Sequence, residues 1–121
     1  MLNQFSRTEL LIGKDGIEKL KNAKVAIFGI GEVGSFVAEG LVRAGVENFV
    51  LIDDDKICLT NINRQIIATR KTVGKYKVDV MKERILEINP NADVREFISV
   101  FSFLKMQMNL IFHSMIMWWM L

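Results

Sequence analysis

Seven residues of this chain have types and spacing suited to phosphate and ribose chemistry: Gly29, Gly31 and Gly34 in one tight run, Asp53, then Asn61, Arg64 and Lys77. Missing side chains at Gly29 and Gly31 let main chain approach an anion. The N–H groups and positive dipole end of a helix beginning near Ser35 would attract it. Asp53 follows Gly34 by 19 residues, where a carboxylate accepts hydrogen bonds from a ribose. Asn61-Ile62-Asn63-Arg64-Gln65 and Gly74-Lys75-Tyr76-Lys77 add cations and amides downstream. Attack of a carboxylate on the α-phosphorus of ATP spreads negative charge over phosphate oxygens, and fixed Arg64 and Lys77 would stabilise that charge best in the transition state. A redox domain binding an NAD-type dinucleotide uses the same turn and acid without needing such cations; it is the alternative.

The elements that must position these groups follow one another from Lys24 to Asp55. Val25-Ala26-Ile27-Phe28 predicts a strand buried on both faces, Gly29 to Gly34 a tight turn, and Ser35 to Ala44 a helix with Phe36, Val37, Leu41 and Ala44 near one face and Gly45 as its stop. Val50-Leu51-Ile52 predicts the next strand. Phe5 to Asn22, with apolar Leu10, Leu11, Ile17 and Leu20 broken by Gly13 and Gly16, predicts two short helices. Leu59 to Thr69 is a loop or short helix, Thr72 to Ile88 a helix ended by Asn89-Pro90, and Val94 to Val100 a third strand. The alternation predicts an α/β fold, a Rossmann-like parallel sheet with flanking helices.

At 121 residues with 50% hydrophobic content, the chain has room for one domain with a real core. Its net charge of +2, from 16 basic and 14 acidic residues, gives no case by composition alone for a nucleic-acid or membrane surface. A single cysteine, Cys58, excludes an internal disulfide and a cysteine-built zinc site, and fits a reducing cytoplasm. With no base in its own motif, Cys58 reads as a small packing residue rather than a nucleophile.

Phe5-Ser6-Arg7-Thr8-Glu9-Leu10-Leu11-Ile12-Gly13, the Gly29–Gly34 turn, Leu51-Ile52-Asp53, Thr60 to Gln65, Gly74 to Lys77 and Ile88-Asn89-Pro90 together resemble the ubiquitin-activating-like, ThiF-type family of carboxylate-adenylating enzymes. Within it they are most similar to the tRNA threonylcarbamoyladenosine dehydratase branch. The resemblance implies that Asp53 holds the ATP ribose, that Asn61 and Arg64 grip the phosphates, that Lys77 neutralises charge on the α-phosphate, and that Arg7 reaches the ATP of a partner in a homodimer. It also implies tRNA as the substrate of an intact relative, whose threonylcarbamoyl carboxylate is adenylated and then closes onto its own side chain. Glu32 departs from the pattern: the family usually has glycine there, and a carboxylate beside the phosphates predicts weaker ATP binding.

After Glu96 the composition changes. Residues 97–121 hold one charged side chain, Lys105, with five of the seven methionines and both tryptophans. A membrane anchor is one explanation, opposed by Lys105, Gln107, Asn109 and His113. The genetic code supplies another. Read from each codon's third base, Met115 to Leu121 becomes Asp, one of Tyr/His/Asn, Val, Val, Asp and then Ala or Val, the acidic strand expected of the family here. The domain organisation expected is therefore a ThiF-type ATP-binding part over 1–96 and a frameshift-derived tail over 97–121. The sheet is then cut after about its third strand and the tail packs loosely. The resemblance places a magnesium-coordinating Asp beyond that point. No residue of this chain replaces it, so a partial ATP site and an inactive fragment are expected. A non-catalytic dimerising fragment is the rival from another class.

Overall fold

The computed structural model describes residues 2–107 and 116–119. Strands β1 (Lys24–Phe28), β2 (Asn48–Ile52), β3 (Asp93–Phe97) and β4 (Ile116–Trp119) form a parallel sheet in the order β3-β2-β1-β4. Helices α1 (Ser6–Asn22), α2 (Glu32–Ala44), α3 (Lys77–Ile88) and α4 (Val100–Gln107) surround it. Successive strand side chains point to opposite faces. Val25, Ile27, Phe49 and Leu51 join Ala38 and Val42 of α2 and Val78, Met81 and Ile85 of α3. Ala26, Val50 and Ile52 join Phe103 of α4. Both faces are covered, so β1 and β2 read as unbroken apolar runs instead of alternating ones.

As expected, two helical stretches precede β1, divided at Gly13, whose φ of 76° and ψ of 173° no helix contains; Leu10 and Leu11 are 86% and 87% exposed. Two boundaries differ from the sequence pattern. Helix α3 begins at Lys77, not Thr72. Gly74 has a φ of +89°, and Thr72 is tied into a turn by its Oγ1, which accepts from the Thr69 N–H and donates to the Ile67 carbonyl. Helix α2 begins at Glu32, not Ser35, and buries Gly34, Ser35, Ala38 and Val42 while leaving Phe36 exposed. Gly45 stops α2 as expected, with φ +118° and its N–H shared between the Leu41 and Val42 carbonyls.

The sheet also continues past its third strand, because the apolar run Ile116–Trp119 pairs alongside β1. From the stretch after Glu96, Phe97, Phe103 and Met106 pack on the second face of the sheet. Phe103 is fully buried and meets the Phe28 and Phe97 rings edge-on, at centroid distances of 5.2 and 5.9 Å. Of the segment 97–121 read as frameshift-derived, residues 108–115 and 120–121 lie outside the described residues. Among the described residues, no helix is long and apolar enough to cross a membrane.

Candidate nucleotide-binding site

The glycine turn is built by close approach of backbone to backbone. A Cβ on Gly34 would stand 1.8 Å from the Gly29 carbonyl oxygen, so only glycine lets the first turn of α2 lie against the end of β1. Gly29 has a φ of +93° and donates its N–H to the Ile52 carbonyl at 2.8 Å, tying the turn to β2. Gly31 caps α2 from a non-helical conformation, and the Ser35 hydroxyl donates to its carbonyl at 2.5 Å.

Asp53, just past the end of β2, locks this turn to the next loop. Its Oδ2 accepts the Ile30 N–H at 2.6 Å, and its Oδ1 accepts the Asp55 N–H at 2.7 Å. Both oxygens therefore serve as a brace between the two crossings of the sheet's carboxyl end, the edge at which open α/β sheets bind ligands. Asp53, Asp54 and Asp55 offer carboxylate oxygens within 4.8 Å of one another. Each Asp53 oxygen accepts one main-chain N–H and keeps a lone pair, so the brace leaves the carboxylate able to accept a further hydrogen bond.

Beyond it the chain makes an excursion closed at its base by an antiparallel bridge between Lys56 and Tyr76. Ile57, Ile67 and Ala68 anchor it in the core. Buried Asn61 holds the short helical turn Leu59–Asn61 by accepting the Cys58 N–H on its Oδ1 at 2.9 Å. Lys77, the first residue of α3, is only 6% exposed. Its backbone N–H donates to the Asp55 carbonyl at 3.1 Å. Its Nζ lies 3.9 Å from Asp55 Oδ2, and that carboxylate is itself 69% exposed. Among the described residues, this is the one carboxylate in ion-pair range of the ammonium. Asp54, Asp55, Lys56, Cys58, Asn61, Tyr76 and Lys77 enclose an open pocket of about 450 Å³.

The structure thus unites Asn61 and Lys77 in one pocket and joins the Gly29–Gly34 turn to it through Asp53 and Asp55. Arg64 is not in the pocket lining: its Nη1 donates to the Thr60 carbonyl at 3.1 Å and to Asn63 Oδ1 at 2.9 Å. Arg7 is exposed at the start of α1. Cys58, expected to pack, is exposed at the pocket rim because the anchoring falls to Ile57 beside it. Glu32 is exposed in the first turn of α2. Sequence reasoning missed Asp55 and Tyr76 as pocket walls and Gln65 as a buried amide whose Oε1 has no partner among the described residues. The run of three acids was the signal for the first; nothing local marks the others.

Two polar clusters flank the site. Glu39 of α2 accepts Arg84 Nε on Oε1 at 2.5 Å, and Arg84 Nη2 and Arg43 Nε on Oε2 at 3.0 and 2.7 Å, which pins α3 to α2. The Arg84 hydrogen bond, outweighing desolvation and aided by Arg43, holds the Glu39 carboxyl below its usual range. At the end of β3, burial and the neighbouring Asp79 push Glu96 above the carboxylate range, against Lys82, whose Nζ lies 3.6 Å away.

The sequence pattern of the ThiF family matches residues 5–112. The tRNA threonylcarbamoyladenosine dehydratase of Bacillus subtilis is 56% identical over 94 residues, 78% of this chain and 37% of that protein. The Escherichia coli protein of the same name is 45% identical over 91 residues, 75% and 34% of the two. A crystal structure of the E. coli dehydratase, TcdA, in complex with ATP matches with a TM-score of 0.81 and 38% identity, over 88% of this chain and 45% of that one. Its complex with AMP matches at 0.78 and 43%, over 79% and 40%. The chain spans less than half the length of these relatives. A glycine turn braced by Asp53, a pocket walled by Asn61 and Lys77, and a matching pattern over most of the sequence lead to one conclusion: the chain belongs to the ThiF family.

Proposed function

We propose that this chain supplies the ATP-binding part of a carboxylate-adenylating enzyme whose substrate is the threonylcarbamoyl group of a tRNA adenosine. The observation that carries the reading is Lys77. Its side chain is 8% exposed, and among the described residues one carboxylate, Asp55 at 3.9 Å, lies in ion-pair range of the ammonium. Its stem is buried and its charge opens on the pocket, which suits a phosphate guest.

In this reading the glycine turn admits the nucleotide close to main chain, Asp53 holds the ribose, and Asn61 donates its amide to phosphate. Lys77 bears on the α-phosphate. Arg64 exchanges its two loop acceptors for phosphate oxygens, and Arg7 comes from a second copy. A substrate carboxylate oxygen attacks the α-phosphorus, the bond to the bridging oxygen breaks, and pyrophosphate leaves with an acyl-adenylate behind it. Ring closure by the substrate's own side chain then expels AMP, a net dehydration. The relatives named as tRNA threonylcarbamoyladenosine dehydratases and the ATP and AMP complexes of TcdA support this assignment.

Calorimetric titration of the purified chain with ATP and with NAD tests it. ATP should bind and NAD should not. Lys77→Ala should weaken ATP by tenfold or more, about 1.4 kcal/mol, without lowering the melting temperature. Equal affinity for the two nucleotides, or a Lys77→Ala variant that binds ATP like the parent, would sink the proposal.

A further inference from the structure

Charge in this chain is segregated in a way that total composition hides. Between Asp55 and Asp79 lie Lys56, Arg64, Arg70, Lys71, Lys75 and Lys77, without a single Asp or Glu. Of the 16 basic and 14 acidic residues in the chain, six and none fall there, so this segment carries +6 and everything else carries −4. All but Lys77 are exposed. Lys77 faces the pocket, Arg64 is bonded to its own loop, and Lys56 lies over the Tyr76 ring at 5.0 Å. Arg70, Lys71 and Lys75 form no ion pair among the described residues.

These three side chains stand on a rigid support. Arg70 and Lys71 occupy the tip of the Thr69–Thr72 turn, held by the Thr72 N–H on the Thr69 carbonyl at 3.0 Å and the Thr69 N–H on Thr72 Oγ1 at 2.8 Å. Lys75 is brought beside the Lys56 strand because its carbonyl accepts the Ile57 N–H at 2.8 Å, while the Gly74 N–H donates back to the Ile57 carbonyl at 2.8 Å. Ile57 lines up this strand just before the pocket wall. Asp54 and Asp55 sit at the base of the excursion, among the residues lining the pocket.

We infer that the basic tip formed by Arg70, Lys71 and Lys75 is a docking surface for the phosphodiester backbone of RNA, carried on the same excursion of the chain that ends at Lys77. A row of unpaired cations on a preformed loop neutralises successive phosphates and releases their counterions, so the contact needs no base sequence. The inference rests on the reading that the activated carboxylate is carried by tRNA. Without an RNA-borne substrate, a cationic tip beside the site has no role in that chemistry.

Fluorescence anisotropy of a labelled tRNA transcript against the purified chain, over a series of salt concentrations, tests it. Arg70→Ala/Lys71→Ala/Lys75→Ala should bind RNA about tenfold or more weakly at 0.1 M salt, with the slope of log affinity against log salt reduced by about two to three. A control triple in α1, Lys14→Ala/Lys19→Ala/Lys21→Ala, should change RNA affinity less than threefold, and Arg70→Lys/Lys71→Arg/Lys75→Arg should keep parental binding. ATP affinity should be unchanged in all three, since none touches the pocket. An equal loss in both alanine triples, no loss in the first, failure of the charge-keeping variant to bind, or no RNA binding by the parent would overturn the surface. Failure of ATP to bind while the RNA results hold would reject adenylation and leave the docking surface standing.

Discussion

The two halves of the candidate site are held in opposite ways. The glycine turn is fixed by main chain: Gly34 lies against the Gly29 carbonyl, the Gly29 N–H is on Ile52, and the Ile30 N–H is on Asp53. The 56–77 excursion is fixed mainly by buried anchors, Ile57, Asn61, Ile67 and Ala68, so its cationic side chains carry less of the structure. Changes in the first half should therefore cost fold and ligand together, while changes to those side chains should cost mainly ligand.

Gly34→Ala is the severest way to test that contrast. With a carbonyl oxygen 1.8 Å from the new Cβ, α2 must move off β1, and the melting transition should reveal a loss of about 3 kcal/mol or more together with ATP binding. A variant with parental stability would show that the turn tolerates displacement. Asp53→Asn is next: an amide keeps one acceptor but sets its NH2 against a main-chain N–H, for about 1–3 kcal/mol by denaturant titration. Equal stability of Asn and Asp at this position would remove the brace.

How far this contrast could be read in the sequence also divides along it. The glycines, Asp53, both strands and Gly45 are legible because each signal is local: a missing side chain or an apolar run dictates its own neighbourhood. The excursion is less legible. Thr72 and Val73 suit a helix by periodicity, yet Thr72 Oγ1 bonds local main chain and Gly74 adopts positive φ, so α3 waits for Lys77. Phe36 has helical spacing but faces away from the sheet, and the burial of Lys77 depends on the distant Asp55 loop and no local pattern. Residues after Glu96 look foreign by composition, although Phe103 still fills the second face.

Two smaller effects sharpen the picture. Glu39→Gln should cost about 1 kcal/mol near neutral pH, discounted because Arg84 is 40% exposed. The parent's Glu39 has a lowered pKa, so this stabilisation is present above the ordinary value of 4.5 and disappears as pH falls through the lowered one. Chemical denaturation at pH 7 and at pH 3 should show the gap between the two proteins closing; a gap independent of pH would break the link to the ion pair. Glu32→Gly should have the slightest effect, because exposure screens the carboxylate far more than the shielded site expected from sequence. ATP affinity should tighten by only about twofold to tenfold in calorimetry, with about 0.3–1 kcal/mol of stability given up at the helix start. An unchanged affinity would place Glu32 outside the field of the phosphates.

Lys77 is at once the opening residue of α3 and the ammonium of the pocket, so an anion that settles there clamps a helix to the sheet edge. Occupancy then feeds directly into thermal resistance. A ligand at one hundred times its dissociation constant adds about 2.7 kcal/mol to the folded state. A dye-based melting screen of anions would consequently rank candidate guests without a measurement of turnover.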